Sequence, residues 1–156
     1  MDFGNMNVYV MNVVTKCMNL TTNTYIGNYL TTTEFFFNDE EVGHIRYKYF
    51  KEQKTKKELL SILSKSENTR DMIDSLPSDK LDGNSMYIHH IYTEKDFRKN
   101  RFATKYLEFI LKKYDLNQIV LAYDESFEWL VEFYIKNISE NYLIKDNVIL
   151  FTLNND

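Results

Sequence analysis

The chain has little of what staples or redirects a backbone: one cysteine, Cys17, one proline, Pro77, and four glycines in 156 residues. A lone cysteine excludes an intrachain disulfide, and the expected setting is reducing and cytoplasmic. No apolar run approaches the length of a membrane span. The N-terminus shows no basic stretch followed by an apolar one, so no secretory leader is expected. Basic residues are not in surplus: 19 Lys and Arg stand against 23 Asp and Glu, a net charge of −4. Proteins that wrap nucleic acid neutralise phosphates with such a surplus, so nucleic acid is not an expected partner. Three histidines and one cysteine, spread as they are, have no metal-ligand spacing, and no metal is expected.

What is present is material for a core. Hydrophobic residues make up 44% of the chain and aromatic residues 15%. A chain of this length buries roughly two-thirds of its unfolded surface, enough to fold without staples. One domain over residues 1–156 is expected, with no repeat and no linker.

The hydrophobic periodicity orders the elements. Asn7 to Thr15 reads as a first strand. Lys16 to Leu30, dominated by Thr and Asn, fits either a short helix or an irregular excursion. Thr31 to Asn38 and Val42 to Phe50 read as a hairpin around Asp39-Glu40-Glu41, with Ile45, Tyr47 and Tyr49 on one face and Arg46 and Lys48 on the other. Lys54 to Leu76 is helical, with Leu59, Leu60 and Leu63, then Met72, Ile73 and Leu76, at helical spacing and a break near Ser66-Glu67-Asn68. Ser85 to Thr93 is a strand, Phe102 to Tyr114 a helix, Gln118 to Tyr123 a strand and Phe127 to Asn137 a helix. Tyr142 to Leu153 reads as a closing hairpin broken at Lys145-Asp146-Asn147. Trp129 and Phe133, four apart on one helix, read as core packing.

The segment from Ile91 to Ala103 carries the chemistry. A strand ends, a charged loop follows, and an amphipathic helix begins. A helix N-terminus presents free N–H groups and the positive end of its dipole, a natural seat for phosphate. Arg98, Lys99 and Arg101 reinforce it. A solvated basic turn is the competing reading of the same residues.

This segment resembles the pyrophosphate loop of the GNAT superfamily of N-acetyltransferases, which reads Q/R-x-x-G-x-G/A. Arg98, Phe102 and Ala103 fit that pattern, Phe97 fits the aromatic residue before the Arg, and Thr93 stands at the strand-end Val position. Arg101 occupies the place where the family prefers glycine. Leu107, Ile110 and Leu111 match the helix that follows. Further on, Phe133-Tyr134 matches the family's second strand–loop–helix block. Its Asn near the helix start is Phe127 here, and its Gly-Phe after the helix is missing near Ile138 and Ser139. The hairpin containing Val42-Gly43-His44-Ile45 is similar to the family's second and third strands.

The resemblance implies an α/β fold: a mixed, mostly antiparallel central sheet flanked by helices, with splayed parallel strands in the middle. It implies acetyl-CoA as acetyl donor and a primary amine as acceptor, joined by direct attack, with no metal. Backbone groups of Ile91 and Thr93 would pair with the pantetheine arm. Arg98 and the N–H groups of Lys99, Asn100, Arg101, Phe102, Ala103 and Thr104 would hold the pyrophosphate. His89, on the face shared by Ser85, Tyr87, Ile91 and Thr93, would act as base. Tyr134 would protonate the departing thiolate. A structural strand histidine and a packed core tyrosine are the bland alternatives for these two. His90, of opposite parity, is expected to be buried or packed against a helix. Cys17 has no nearby base in sequence that makes it a nucleophile. Many relatives form homodimers, and no stripe here decides that. The competing function is a GNAT-like binding module that has lost turnover and acts through protein contacts. A third is an acetyltransferase toxin acting on aminoacyl-tRNA, which the acidic balance disfavours.

Overall fold

The computed structural model describes residues 10–15, 18–63, 67–98, 101–124, 126 and 129–153. The elements are β1 (Val10–Thr15), β2 (Met18–Ile26), β3 (Thr31–Phe37), β4 (Glu40–Phe50), β5 (Lys54–Thr55), α1 (Lys56–Leu63), α2 (Glu67–Asp74), β6 (Lys80–Leu81), β7 (Ser85–Thr93), α3 (Phe102–Lys113), β8 (Gln118–Ala122), α4 (Trp129–Asn137), β9 (Tyr142–Lys145) and β10 (Val148–Thr152). This is a mixed α/β fold with a mostly antiparallel sheet flanked by helices, as expected. Two compact units, each discontinuous in sequence, make up the chain: Met1–Lys48 with His89–Lys113, and Tyr49–Ile88 with Tyr114–Asp156.

In the first unit the strand order is β1-β2-β3-β4-β7. The ambiguous stretch Lys16 to Leu30 resolves in favour of strand: β2 pairs antiparallel with β1 and β3 along its length. Its Thr residues, poor helix formers, suit a pleated surface. Leu20, Thr22, Thr24, Thr33, Phe35, Ile45 and Tyr47 are all buried. The buried hydroxyls satisfy one another: Thr24 Oγ1 lies 2.9 Å from Thr33 Oγ1, which lies 3.1 Å from the Tyr47 hydroxyl. Helix α3 buries Phe102, Tyr106, Leu107, Phe109 and Ile110. Tyr106 stacks on Phe35 at 4.2 Å between centroids, and Phe109 meets the same ring edge-on at 5.5 Å. Each such side chain contributes about 1.5–3 kcal/mol by burial.

The β3–β4 hairpin turns one residue earlier than its acidic run suggests. Asn38 and Asp39 take positive φ of 52° and 62°, and β4 resumes at Glu40 opposite Phe37. Two positive-φ residues make the tight turn whose twist suits a hairpin, and Asn and Asp tolerate it. The register then shifts between Phe35 and Phe36: Phe36 faces Glu41, but Phe35 faces Gly43 and Glu34 faces His44. Val42 is the extra residue of a β-bulge. Its carbonyl accepts the Glu94 N–H at 2.8 Å. Gly43 has no room for a side chain, because a Cβ there would collide with the Tyr92 carbonyl oxygen and the Tyr106 hydroxyl.

In the second unit the order is β7-β8-β10-β9. β7 and β8 form the expected parallel pair, from Ser85↔Gln118 to Ile88↔Leu121. The ladder ends there, while β7 itself continues to Thr93. The closing hairpin is correct in outline, with its turn at Asp146 and Asn147, both at positive φ. Helix α1 starts with a capping box: Thr55 Oγ1 accepts the Glu58 N–H at 3.2 Å, and Glu58 Oε1 accepts the Thr55 N–H at 3.1 Å. Leu59, Leu63, Met72, Ile73 and Leu76 are buried as their spacing predicts, while Leu60 is half-buried. The core reading of Trp129 is overturned: the residue is 64% exposed, because α4 turns that side outward and buries Tyr134 instead. Among the described residues no helix is long and apolar enough to cross a membrane.

The close approach at Gly43 yields a direct test. Gly43→Ala should destabilise by about 3 kcal/mol, since the colliding carbonyl belongs to backbone and cannot rotate away. Thermal melts should show a loss of roughly 6–12 °C for a chain of this size. A melt unchanged within 2 °C, on the order of ~0.5 kcal/mol, would contradict this packing.

Candidate functional site

The connection from β7 to α3 lies within the first unit. After Thr93, Glu94 is held by its bond to Val42, and Lys95–Phe97 form a short 3-10 turn. Arg98 follows in right-handed helical conformation, and its Nε donates to the Thr93 carbonyl at 3.0 Å. Its guanidinium also sits 5.7 Å from the centre of the Tyr92 ring. The side chain therefore clamps the loop back onto the strand it left. Phe97 and Phe37 pack against Phe102 at 5.8 and 5.9 Å, anchoring the first residue of α3.

Arg101 has φ of 61°. This is left-handed backbone, which an L-residue adopts at a cost of roughly 1–2 kcal/mol and which glycine takes freely. The position that resembles the motif glycine thus carries, in an arginine, a conformation glycine takes freely. The Arg101 side chain is exposed, and the first N–H groups of any α-helix have no partner within it.

The other expected residues fall as follows. Ile91 and Thr93 are half-buried on β7, Phe102 is buried, and Ala103 and Thr104 are half-buried in the first turn of α3. Lys99 and Asn100 lie outside the described residues. His89 is exposed; burial of its ring, then the charges of His90 and Arg46, hold its pKa below the usual 6.5. Tyr134 belongs to the second unit, where burial raises its phenol pKa. An open groove of about 420 Å³ beside Lys136 and Ser139 in that unit contains none of the expected residues.

His90 departs from expectation. It is exposed rather than packed against a helix, and its ring lies 5.5 Å from that of His44 and 6.1 Å, stacked, from that of Tyr92. His44 lies 5.4 Å from Tyr92. Consecutive His89 and His90 are both exposed, which strict strand alternation does not allow on a half-buried sheet. His44 escaped sequence reasoning because only the bulge places it opposite Glu34 and beside His90. Burial first, then Arg46 and His90, lower its pKa to about 4. Glu41 moves the other way: burial, then the charge of Glu34 and a hydrogen bond with it, then Glu94, raise its pKa. Tyr106, buried beneath the same strands, has its pKa raised by burial and by Glu41 and Glu94, with Thr93 opposing.

No family model matches the sequence, and no curated protein matches it significantly. Solved structures that resemble it include a bacterial toxin, at a TM-score of 0.44 and 8% identity over 79% of this chain and 67% of that one. Another is an N-acetyltransferase from Staphylococcus aureus Mu50, at 0.44 and 20% identity over 76% of this chain and 66% of that one. This chain thus spans about two-thirds of either. Likeness at that level settles neither family nor chemistry, which rest on the residues themselves.

Two outcomes follow from the site. Arg101→Gly should stabilise the protein by about 0.5–1 kcal/mol, the left-handed strain exceeding the entropy of an added glycine, while Arg101→Val should destabilise it. Chemical denaturation reads both; an Arg101→Gly loss of about 1 kcal/mol or more would refute the left-handed assignment. His44 is harder to protonate when folded, so the unfolded chain takes up its proton first. Its contribution to stability is present above pH 6.5 and lost as pH falls towards about 4. His89 and His90 act in the same direction, and Glu41 opposes them. His44→Gln should therefore flatten the fall in stability over that window, measured by urea titration at stepped pH.

Proposed function

We propose that this protein is an acetyl-CoA-dependent N-acetyltransferase that moves an acetyl group to a primary amine by direct attack. The observation that carries the reading is the left-handed Arg101 at the entry to α3. That conformation is one glycine takes freely, which supports reading Arg101 as standing in for the motif's glycine. Arg98 and Arg101 add positive charge beside the amides of Phe102, Ala103 and Thr104, with Lys99 and Asn100 completing the loop in sequence. Ile91 and Thr93 would offer backbone groups to the pantetheine arm.

In the reaction the amine nitrogen attacks the thioester carbonyl carbon and gives up a proton. The C–S bond breaks, and the thiolate takes a proton. His89, its pKa lowered, is neutral at pH 7 and suited to receive the amine's proton directly or through water. Tyr134, its pKa raised, stays protonated and suited to supply the thiolate. These roles come from the resemblance residue by residue. The two side chains lie in different units, and each role is assigned independently.

Calorimetry with acetyl-CoA tests the donor site. Micromolar binding, weakened about tenfold or more by Arg98→Ala through lost phosphate contact and loosened loop, is the expected result. Absence of binding at millimolar acetyl-CoA sinks the proposal and leaves a non-catalytic binding module in its place. Given turnover, Tyr134→Phe should lower kcat by roughly 10²-fold. An unchanged rate across pH removes Tyr134 as the acid.

A further inference from the structure

One face of the first unit carries a polar row that the proposed chemistry does not use. Asn23 of β2 pairs with Glu34 of β3, and Glu34 pairs with His44 of β4. His90 of β7 comes next, 5.5 Å from His44 between ring centres. Tyr92 closes the row; its ring lies 5.4 Å from His44, and its hydroxyl donates to Glu94 Oε2 at 3.4 Å. Glu41, hydrogen-bonded with Glu34, brings a third carboxyl group to this end of the hairpin.

Two atoms of this row stand out. Asn23 Oδ1 and His44 Nε2 are buried without a hydrogen-bond partner among the described residues. Buried polar atoms without partners are rare and costly, about 1–3 kcal/mol each; Asn23 Oδ1 is an acceptor, and His44 Nε2 is one when its proton is on Nδ1. On the opposite face of the same three strands Thr24, Thr33 and Tyr47 bond to one another, and the unpartnered group there, the Tyr106 hydroxyl, comes from α3 and lies against Gly43. The row is rich in acceptors, carboxyl groups and aromatic rings; the Tyr92 hydroxyl is spent on Glu94, and Arg46 is near enough to lower the pKa of His44 and His90. A bound cation with several N–H donors would supply what is missing: hydrogen bonds for the amide and imidazole, charge for the carboxylates, and a cation over the rings. Bare metal fits less well, because among the described residues no three His, Cys, Asp or Glu groups converge as metal ligands. Arg46, exposed on the same strand as His44, and Arg98, against Tyr92, are the cations already present. Arg98 spends its Nε on Thr93.

We propose that the row Asn23, Glu34, His44 and His90, with Tyr92 and the carboxyl groups of Glu41 and Glu94, binds the acceptor amine as its organic ammonium ion. As an acceptor site it rests on the transferase reading; as an ammonium site it stands on the row alone. It places the acceptor on the β3–β4 hairpin and the end of β7, beside the strand whose edge would hold the donor. Glu34 is the principal anchor, since its neighbours on both sides, Asn23 and His44, are the residues with unmet acceptors.

The test uses the intact chain and n-butylammonium chloride as probe, with 1-butanol and matched sodium chloride as controls. Ring resonances of His44 and His90 are followed by NMR at pH 7. Saturable shifts with the ammonium and none with the alcohol are expected, and Glu34→Gln, nearly isosteric, should weaken binding about tenfold while leaving the melting temperature near that of the parent. Should Glu34→Gln fail to fold, Glu94→Gln is read in its place. Unsaturable shifts, shifts equal to those of the alcohol, or indifference to both variants would overturn the site and leave water as the occupant of those acceptors. Acetyl-CoA binding is measured on the same samples. Ammonium binding without acetyl-CoA binding keeps the ammonium site and ends the transferase reading. Acetyl-CoA binding without ammonium binding does the reverse.

Discussion

The first unit depends on one close contact between backbones. At the bulge in β4, Val42 projects its carbonyl to the Glu94 N–H, and Gly43 lets the Tyr92 carbonyl and the Tyr106 hydroxyl come against the chain. Strand, loop start and helix are thereby fixed to one point. Any side chain at residue 43 would push β7 and α3 away together, since the obstacle includes backbone. The stack of Tyr106 on Phe35 is the apolar consequence of the same approach, and it seats α3 over the buried face of β2, β3 and β4.

The bulge also sorts the polar residues. A hairpin continuing uninterrupted from the Asn38-Asp39 turn would set Glu34 against Gly43. The extra residue sets it against His44. From there the two faces of the sheet follow different rules. On the buried face the hydroxyls of Thr24, Thr33 and Tyr47 close a chain in which each has a partner, although the Tyr106 hydroxyl of α3, packed on that face, has none. On the other face Asn23 and His44 keep acceptors unmet beside carboxyl groups. Natural cores avoid that arrangement unless something external completes it.

Arg101 at the entry to α3 also carries a strained backbone. In sequence it interrupts a glycine motif. In the fold it takes a φ of 61°, a conformation glycine adopts freely, at a strain of about 1–2 kcal/mol. Arg98 offsets part of this by tying its side chain to Thr93, which restrains the loop from the strand side.

Local pattern determined most of the elements. Alternation marked β3, β4, β7 and β8, helical spacing marked α1 and α3, and the Asp146-Asn147 turn lay inside the predicted break, because each depends on neighbours within a few residues. The stretch from Lys16 to Leu30 was undecided, since Thr and Asn have little preference of their own; only pairing with β1 and β3 made Met18–Ile26 a strand. Trp129 was misread because helical spacing shows that Trp129 and Phe133 share a side of α4 and not which side is covered. His90 was misread because parity was counted along β7 as an unbroken alternation. The strand before the basic segment and the helix after it, β7 and α3, were legible from local pattern. The polar row was not: its members come from four strands, and a bulge that sequence spacing does not encode brings Glu34 to His44. Residue identity decided what each segment could be, and long-range backbone contact decided which side chains meet.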